Sequence, residues 1–386
     1  MSTQLILNAF VDGVGHHEAA WRLPQSAPGA ALDVAHYRNL ARIAERGRFD
    51  SLVFQDSPAQ THSPAHQPSP DVDPVILLAA LAAATEHIGL IATASTTYSE
   101  PFGLARSFAS LDHASRGRAG WNAVTSAAPN AAHNFGLAEL PSHADRDDRA
   151  DEFIDVVQAL WNSWDPSAVR DDRAGGVYAD PLLVRPIAHE GRHFRVEGPL
   201  TLPRSAQGHP VIVQAGSSPA GVALAARHAE AVFTAQRTLT EAQEFYATLK
   251  AATAAAGRNP KHIKVLPGVV PYIGSTQREA RDLERQFDDL LAPGERSAHG
   301  HRTIAGTPAQ IADDLQTWFE QGAADGFTIM APALPSGLEV FVDQVVPILQ
   351  ERGLFRTEYT ATTLRGHLGL PVPEPRSASA FATSGP

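Results

Sequence analysis

Residues 93–126, TASTTYSEPFGLARSFASLDHASRGRAGWNAVTS, decide the fold. The run 88–94 is apolar enough for a strand covered on both faces. It breaks into Ser95, Thr96, Thr97 and Tyr98, hydroxyls suited to holding a small molecule rather than to filling a core. A helix follows, then the tight basic turn Arg116, Gly117, Arg118, Ala119. A second buried strand, from Trp121 to Val124, ends in Thr125 and Ser126. Two neighbouring strand ends carrying hydroxyls and an amide describe the mouth of a parallel barrel, where such folds place their chemistry.

The same alternation extends both ways. Strands are predicted at 5–10, 51–55, 211–214, 231–235, 263–273 and 326–331. Helices are predicted at about 33–46, 74–87, 147–161, 220–228, 241–256, 277–291, 308–321 and 337–353. In the 147–161 segment Phe153, Val156, Val157, Leu160 and Trp161 recur at helical spacing. Alternating strands and helices imply a parallel sheet. About eight strands, nearly each followed by a helix, favour a closed (β/α)8 TIM-type barrel with insertions. The rival, an open doubly wound sheet, usually shows a glycine-rich nucleotide fingerprint, and neither G-x-G-x-x-G nor a P-loop occurs. We expect a single α/β barrel domain over 1–365, an irregular Pro-, Gly- and Asp-rich insertion at about 164–207, and an extended or disordered tail over 366–386.

The chain holds no cysteine, which excludes disulfides, thiolate nucleophiles and Cys-ligated metal centres. A net charge of −11 argues against a nucleic-acid binder, which needs a basic face. No apolar run is long enough for a membrane span, and MSTQLILNAF enters a strand with no secretory leader pattern. The default expectation is a cytoplasmic protein with no membrane partner.

Several residues stand where a barrel would use them. Asp56 ends the second strand, as a mouth carboxylate or a plain turn residue before Pro58. Val211 to Gly221, VIVQAGSSPAG, runs a strand into Ser217 and Ser218 at a helix start, a seat for phosphate that needs no lysine. His143, Arg146 and Arg149 surround a helix start and are candidates to contact an anion, though Asp145, Asp147 and Asp148 sit among them. His16 and His17 follow the first strand, as substrate contacts or as surface loop. His62 and His66 have helical metal-ligand spacing, but Pro64, Pro68 and Pro70 make that segment a loop, so no metal site is expected. There is no G-x-S-x-G elbow and no glutamate pair at strand ends for glycoside hydrolysis.

Taken together, the motifs resemble the luciferase-like flavin-dependent monooxygenases, in the branch of nitrilotriacetate monooxygenase, pristinamycin synthase and dibenzothiophene-sulfone monooxygenase. The resemblance is carried in order by LNAF (7–10), GHHEAAWR (15–22), GRFDSLVFQD (47–56), the opening segment, NFGL (134–137) and RADEFIDVVQALW (149–161). It continues in QAGSSPAG (214–221), RHAEAVF (227–233), GRNPKHIKVLPG (257–268) and GAADGF (322–327). It implies a barrel that binds reduced FMN at its mouth, takes O2 as co-substrate and oxygenates a small organic molecule through a C4a-(hydro)peroxyflavin. A separate NAD(P)H:flavin reductase would supply the flavin, and a homodimer or higher homo-oligomer is implied.

By motif position, Asp56 and Thr93 would lie near the isoalloxazine ring, with Asn122 and Ser126 lining the same cavity. His143 would lie by the ribityl chain and phosphate, with Ser217 and Ser218 on the phosphate. Asn122, Ser126 and either His16 or His17 are the catalytic candidates, the histidine as acid or base toward substrate. The chain departs from the pattern at Asp147, where relatives often carry tyrosine; an aspartate there repels a phosphate unless it points away. It also departs at 291–307, a shorter stretch than the branch uses to cover its substrate cavity. At Ala127 some relatives place a larger polar side chain. A deazaflavin F420 oxidoreductase of the same superfamily and a catalytically silent flavin-binding protein are the alternative readings.

Overall fold

The computed structural model describes residues 4–60, 72–126, 128–292 and 300–375. Eight strands close a barrel: β1 (Ile6–Val11), β2 (Ser51–Phe54), β3 (Gly89–Ser95), β4 (Ala119–Val124), β5 (Val211–Ala215), β6 (Ala231–Thr234), β7 (Lys264–Ile273) and β8 (Gly326–Ile329). Each pairs in parallel with the next, and β8 pairs back to β1. The expected TIM-type barrel is thus present. Its strands are buried on both faces, one toward the barrel interior and one toward the outer helices, so their sequences are apolar runs without alternation.

Among the described residues, eight helices of nine residues or more interleave with the strands: α1 (Val34–Arg46), α2 (Pro74–Ala82), α3 (Pro101–Ala114), α4 (His143–Trp161), α5 (Pro219–His228), α6 (Leu239–Ala255), α7 (Gln277–Asp288) and α8 (Pro308–Glu320). After β8 the chain returns as Ser336–Val340 and Val346–Glu351, joined by a π-helical turn at Phe341–Val345. Helix α4 begins four residues earlier than its apolar spacing predicts. Ser142 caps it, its hydroxyl accepting from Asp145 N at 3.1 Å, so the acidic run lies inside the helix.

A further strand, Arg302–Gly306, was not expected. It pairs with the second half of β7, Val269↔Arg302 through Ile273↔Gly306. The first part of β7 belongs to the barrel, and its end carries this extra strand beyond the wall. Residues 164–207 hold two small antiparallel hairpins, Val169–Asp172 with Val177–Ala179 and His189–Glu190 with Arg195–Val196.

The expected tail does not start at 366. Leu364, Leu368 and Leu370 are buried against Ile6, Ile91, Val211 and Ala231, whose strands begin there, so this segment closes the barrel floor. Gly89 and Gly120 make room for it: a Cβ on Gly89 would lie 2.5 Å from Leu364 Cδ1. Arg365, 1% exposed, pairs with Glu230 and donates to the carbonyl of Gln207 at 3.0 Å. The physical reason is that a barrel floor needs an apolar lid, and three spaced leucines supply it. Residues 376–386 of the expected tail lie outside the described residues.

Candidate active site

The mouth is built from strand ends. Thr93 on β3 and Asn122 on β4 are register partners, and Asn122 Nδ2 donates to Thr93 Oγ1 at 2.9 Å. Asn122 is 7% exposed, and its Oδ1 has no hydrogen-bond partner among the described residues. An orphaned buried acceptor costs roughly 1–3 kcal/mol, so this oxygen is poised for a ligand's N–H. Nearer the rim, Ser126 Oγ donates to Ser95 Oγ at 2.8 Å, and Ser95 Oγ accepts from Thr97 N and Tyr98 N. Asp56, half-buried just past β2, shares a cavity of about 720 Å³ with Thr93, Ser95, Tyr98 and Phe135. That volume falls within the usual range for small-molecule sites. The Tyr98 and Phe135 rings stack at 4.5 Å on its wall.

The two helix starts lie beside this. His143 is the first residue of α4 and is exposed, and Asp147 one turn on holds its Nδ1 at 2.7 Å. Ser218 caps α5, accepting from Gly221 N at 3.1 Å, and Ser217 next to it is exposed. Asp151 of α4 pairs with Arg227 and His228 of α5, both at 2.7 Å. Asp151 stands eight residues from the start of α4, and Arg227 and His228 eight and nine from the start of α5, so the two helices begin at similar heights. Two positive helix ends therefore open side by side at the mouth. Of the expected set, Asp56 and Thr93 share the cavity and Asn122 joins by its bond to Thr93. His143, Ser217 and Ser218 are not among that cavity's walls and form the helix-end group instead.

The adjacent histidines part company. His17 Nδ1 accepts from Ala19 N at 3.1 Å, and Nε2 lies 3.4 Å from Asp288 at the end of α7. Its ring also packs edge-on to Phe287, so it ties the loop after β1 to α7. His16 is buried instead against Phe10 and His301, with ring centroids 5.9 and 5.8 Å apart. Phe233 stacks on both Phe10 and His301. Two of these rings close on Gly268 of β7, where a Cβ would lie 2.6 Å from His301 Nδ1 and 2.9 Å from Phe233 Cε2. His301, Phe10 and Phe233 were not anticipated as site residues. His62, His66 and Ala127 lie outside the described residues, among which no group of three or more histidine or acidic side chains is arranged to hold a metal.

Residues 16–325 match the family profile described as luciferase-like monooxygenase. The chain belongs to that family. It is 42% identical to the N-acetyl-S-(2-succino)cysteine monooxygenase of Bacillus subtilis (strain 168), covering 97% of this chain and 98% of the relative. It is 43% identical to nitrilotriacetate monooxygenase component A of Aminobacter aminovorans, over 93% of this chain and 95% of that one. Among solved structures, EDTA monooxygenase from Chelativorans sp. BNC1 superposes with a TM-score of 0.87 at 38% identity, covering 95% of this chain and 98% of that chain.

Membership in the luciferase-like monooxygenases gives the geometry a test. The residues present fit a flavin: a buried amide oxygen lacking a donor among the described residues, a mouth lined by hydroxyls and by the carboxylates of Asp56, Asp73 and Glu100, and two helix ends for an anion. The alignment to the Bacillus relative spans 438 positions, more than the 386 residues here, so that relative carries segments with no counterpart in this chain. The departure at Asp147 is also accommodated. Its carboxylate is turned along the helix onto His143 instead of standing unpaired at the anion seat.

Proposed function

We propose that this luciferase-like monooxygenase uses FMN, bound in reduced form and supplied by a separate reductase, together with O2, to oxygenate a small organic substrate. The observation that carries the reading is the Asn122–Thr93 pair, with its orphaned acceptor beside a cavity that Asp56 enters. Asn122 Oδ1 and Asp56 would accept from the N–H edge of the ring, and Thr93 and Ser126 would present hydroxyls to it. Ser217, Ser218 and His143 would hold the phosphate through the two helix starts. Bound reduced flavin supplies the reaction with O2. The protein's part is to orient and to exclude water, and the aromatic wall of Phe10, Phe233 and His301 suits the second task. His16, facing that wall, is the group we assign to proton transfer with the substrate; His17 is already engaged with Asp288 and Ala19.

The sequence holds no dinucleotide fingerprint, which supports a reductase on another chain. Among the described residues no helix is long and apolar enough to cross a membrane. We place the enzyme in the cytoplasm as a homo-oligomer. Relatives are named for nitrilotriacetate, N-acetyl-S-(2-succino)cysteine and EDTA, all bearing several carboxylates, and one for dibenzothiophene sulfone, which bears none. The test is a single turnover of the protein with chemically reduced FMN and isotopically labelled O2 over a substrate panel. Labelled oxygen in an organic product is the expected result. Tight FMN binding with no labelled product, or oxygen-independent hydride transfer with F420, defeats the reading.

A further inference from the structure

Arg146 is 8% exposed and forms no ion pair with any described residue. It sits in the first turn of α4; one guanidinium nitrogen donates to Pro141 O, and its Nε is buried with no partner among the described residues. A buried charge is costly to leave unpaired, so natural proteins pair it or use it. Its neighbours do not satisfy it. The Tyr98 hydroxyl and Thr97 Oγ1 are also buried without partners among the described residues. Burial pushes the Tyr98 phenol up, and the nearby Arg146 charge pulls it down. By contrast Arg149, one turn on, is tied to Thr96 O and Ser99 O and has Glu100 at 3.8 Å.

Arg146 lies between two flanks of α4, one meeting α5 and one meeting the loop after β3. His143, Asp147 and Asp151 are spaced i, i+4, i+8 on the flank that meets α5. Arg146 is about 100° around from Asp147 and about 60° from both His143 and Arg149, and Arg149 docks against the loop after β3. Tyr98 of that loop lines the cavity with Asp56 and Thr93. We propose that Arg146 and Tyr98 form a second anion seat, distinct from the flavin-phosphate seat, which takes a carboxylate of the substrate at the edge of the cavity. A guanidinium fork and a phenol O–H offer a carboxylate donors of matching geometry, and the positive end of α4 adds to the attraction. The seat selects acidic substrates, and it rests on the reading that the flavin occupies the Ser217–Ser218 side.

The experiment titrates succinate, with dimethyl succinate as neutral control, into wild type, Arg146→Met, Arg146→Lys and Tyr98→Phe, each with and without FMN. FMN and riboflavin affinities are measured in parallel, with Ser218→Ala as the phosphate-side variant. Succinate is expected to bind wild type and to weaken about tenfold or more in Arg146→Met and about threefold in Tyr98→Phe, with Arg146→Lys between wild type and Arg146→Met. FMN affinity should fall in Ser218→Ala and stay within about twofold in the other variants. If Arg146→Met does not fold, Tyr98→Phe decides. Absence of succinate binding by wild type, equal binding of the diester, or unchanged binding in Tyr98→Phe and Arg146→Met overturns the seat. Loss of FMN-over-riboflavin preference in Arg146→Met also overturns it, assigning Arg146 to the phosphate. Arg146-dependent succinate binding by a wild type that binds no FMN supports the seat and overturns the flavin reading instead.

Discussion

Replacing Asn122 with leucine separates a binding residue from a structural one. In the protein without flavin, the substitution removes a buried oxygen with no partner, worth about 1–3 kcal/mol of relief. It also removes the 2.9 Å bond to Thr93, worth about 1 kcal/mol, and leaves the Thr93 hydroxyl short of a donor. The two effects nearly cancel. At about 2 cal/mol/K per residue, a chain of 386 residues shifts its Tm by only about 1 °C per kcal/mol, so the expected change is at most about 2 °C. Flavin binding, however, loses one desolvated N–H···O bond, which predicts about tenfold weaker FMN. Fluorescence titration of FMN beside thermal unfolding of the flavin-free protein reads both. Unchanged FMN affinity with a Tm lowered by several degrees would overturn this assignment, because Asn122 would then serve only the barrel wall.

Other perturbations give distinct outcomes. Asp147→Asn removes a negative charge from the phosphate side and should tighten FMN about two- to fivefold while leaving riboflavin unchanged; equal shifts for both flavins contradict it. His16→Ala should abolish turnover while keeping flavin affinity, whereas His17→Ala should lower thermal stability with turnover per folded enzyme retained, both read by steady-state assay and calorimetry. Leu364→Ala, at the fully buried barrel floor, should cost about 2–5 kcal/mol in denaturant unfolding without changing FMN affinity. Burial pushes the Asp112 carboxyl up to about 6, against hydrogen bonds from Ala119 N and Gln207. The folded state then holds a proton that the unfolded chain releases near 4, so this contribution to stability is lost as pH rises from about 4 through 6. Asp112→Asn should flatten that loss and raise stability at pH 7; a variant less stable than wild type at that pH speaks against it.

The barrel was legible because strands buried on both faces must be apolar throughout, as in Leu90 to Ala92. Its polar strand ends showed equally well, since Thr93, Asn122 and Ser126 interrupt runs that nothing else interrupts. The strand Arg302–Gly306 carried no such signal: only Gly306 is fully buried, and the rest leans on the end of β7. The floor segment was missed because Leu364, Leu368 and Leu370 are spaced among Gly, His and Pro, and their burial depends on a closed barrel above them. His16 and His17 are neighbours in sequence with opposite commitments, which only the docking of α7 decides. Phe10, Phe233 and His301 lie far apart along the chain and meet only when β1 and β6 curve together and the strand Arg302–Gly306, which follows His301, pairs with β7.

Flavin, on this reading, lies across the mouth from Asn122 to the paired helix starts, and crystals of the protein grown with FMN show whether it does. The expected complex has a ring N–H within hydrogen-bond distance of Asn122 Oδ1 and the phosphate on Ser217, Ser218 and His143. A flavin bound elsewhere, or one that leaves Asn122 Oδ1 without a donor, rules the reading out.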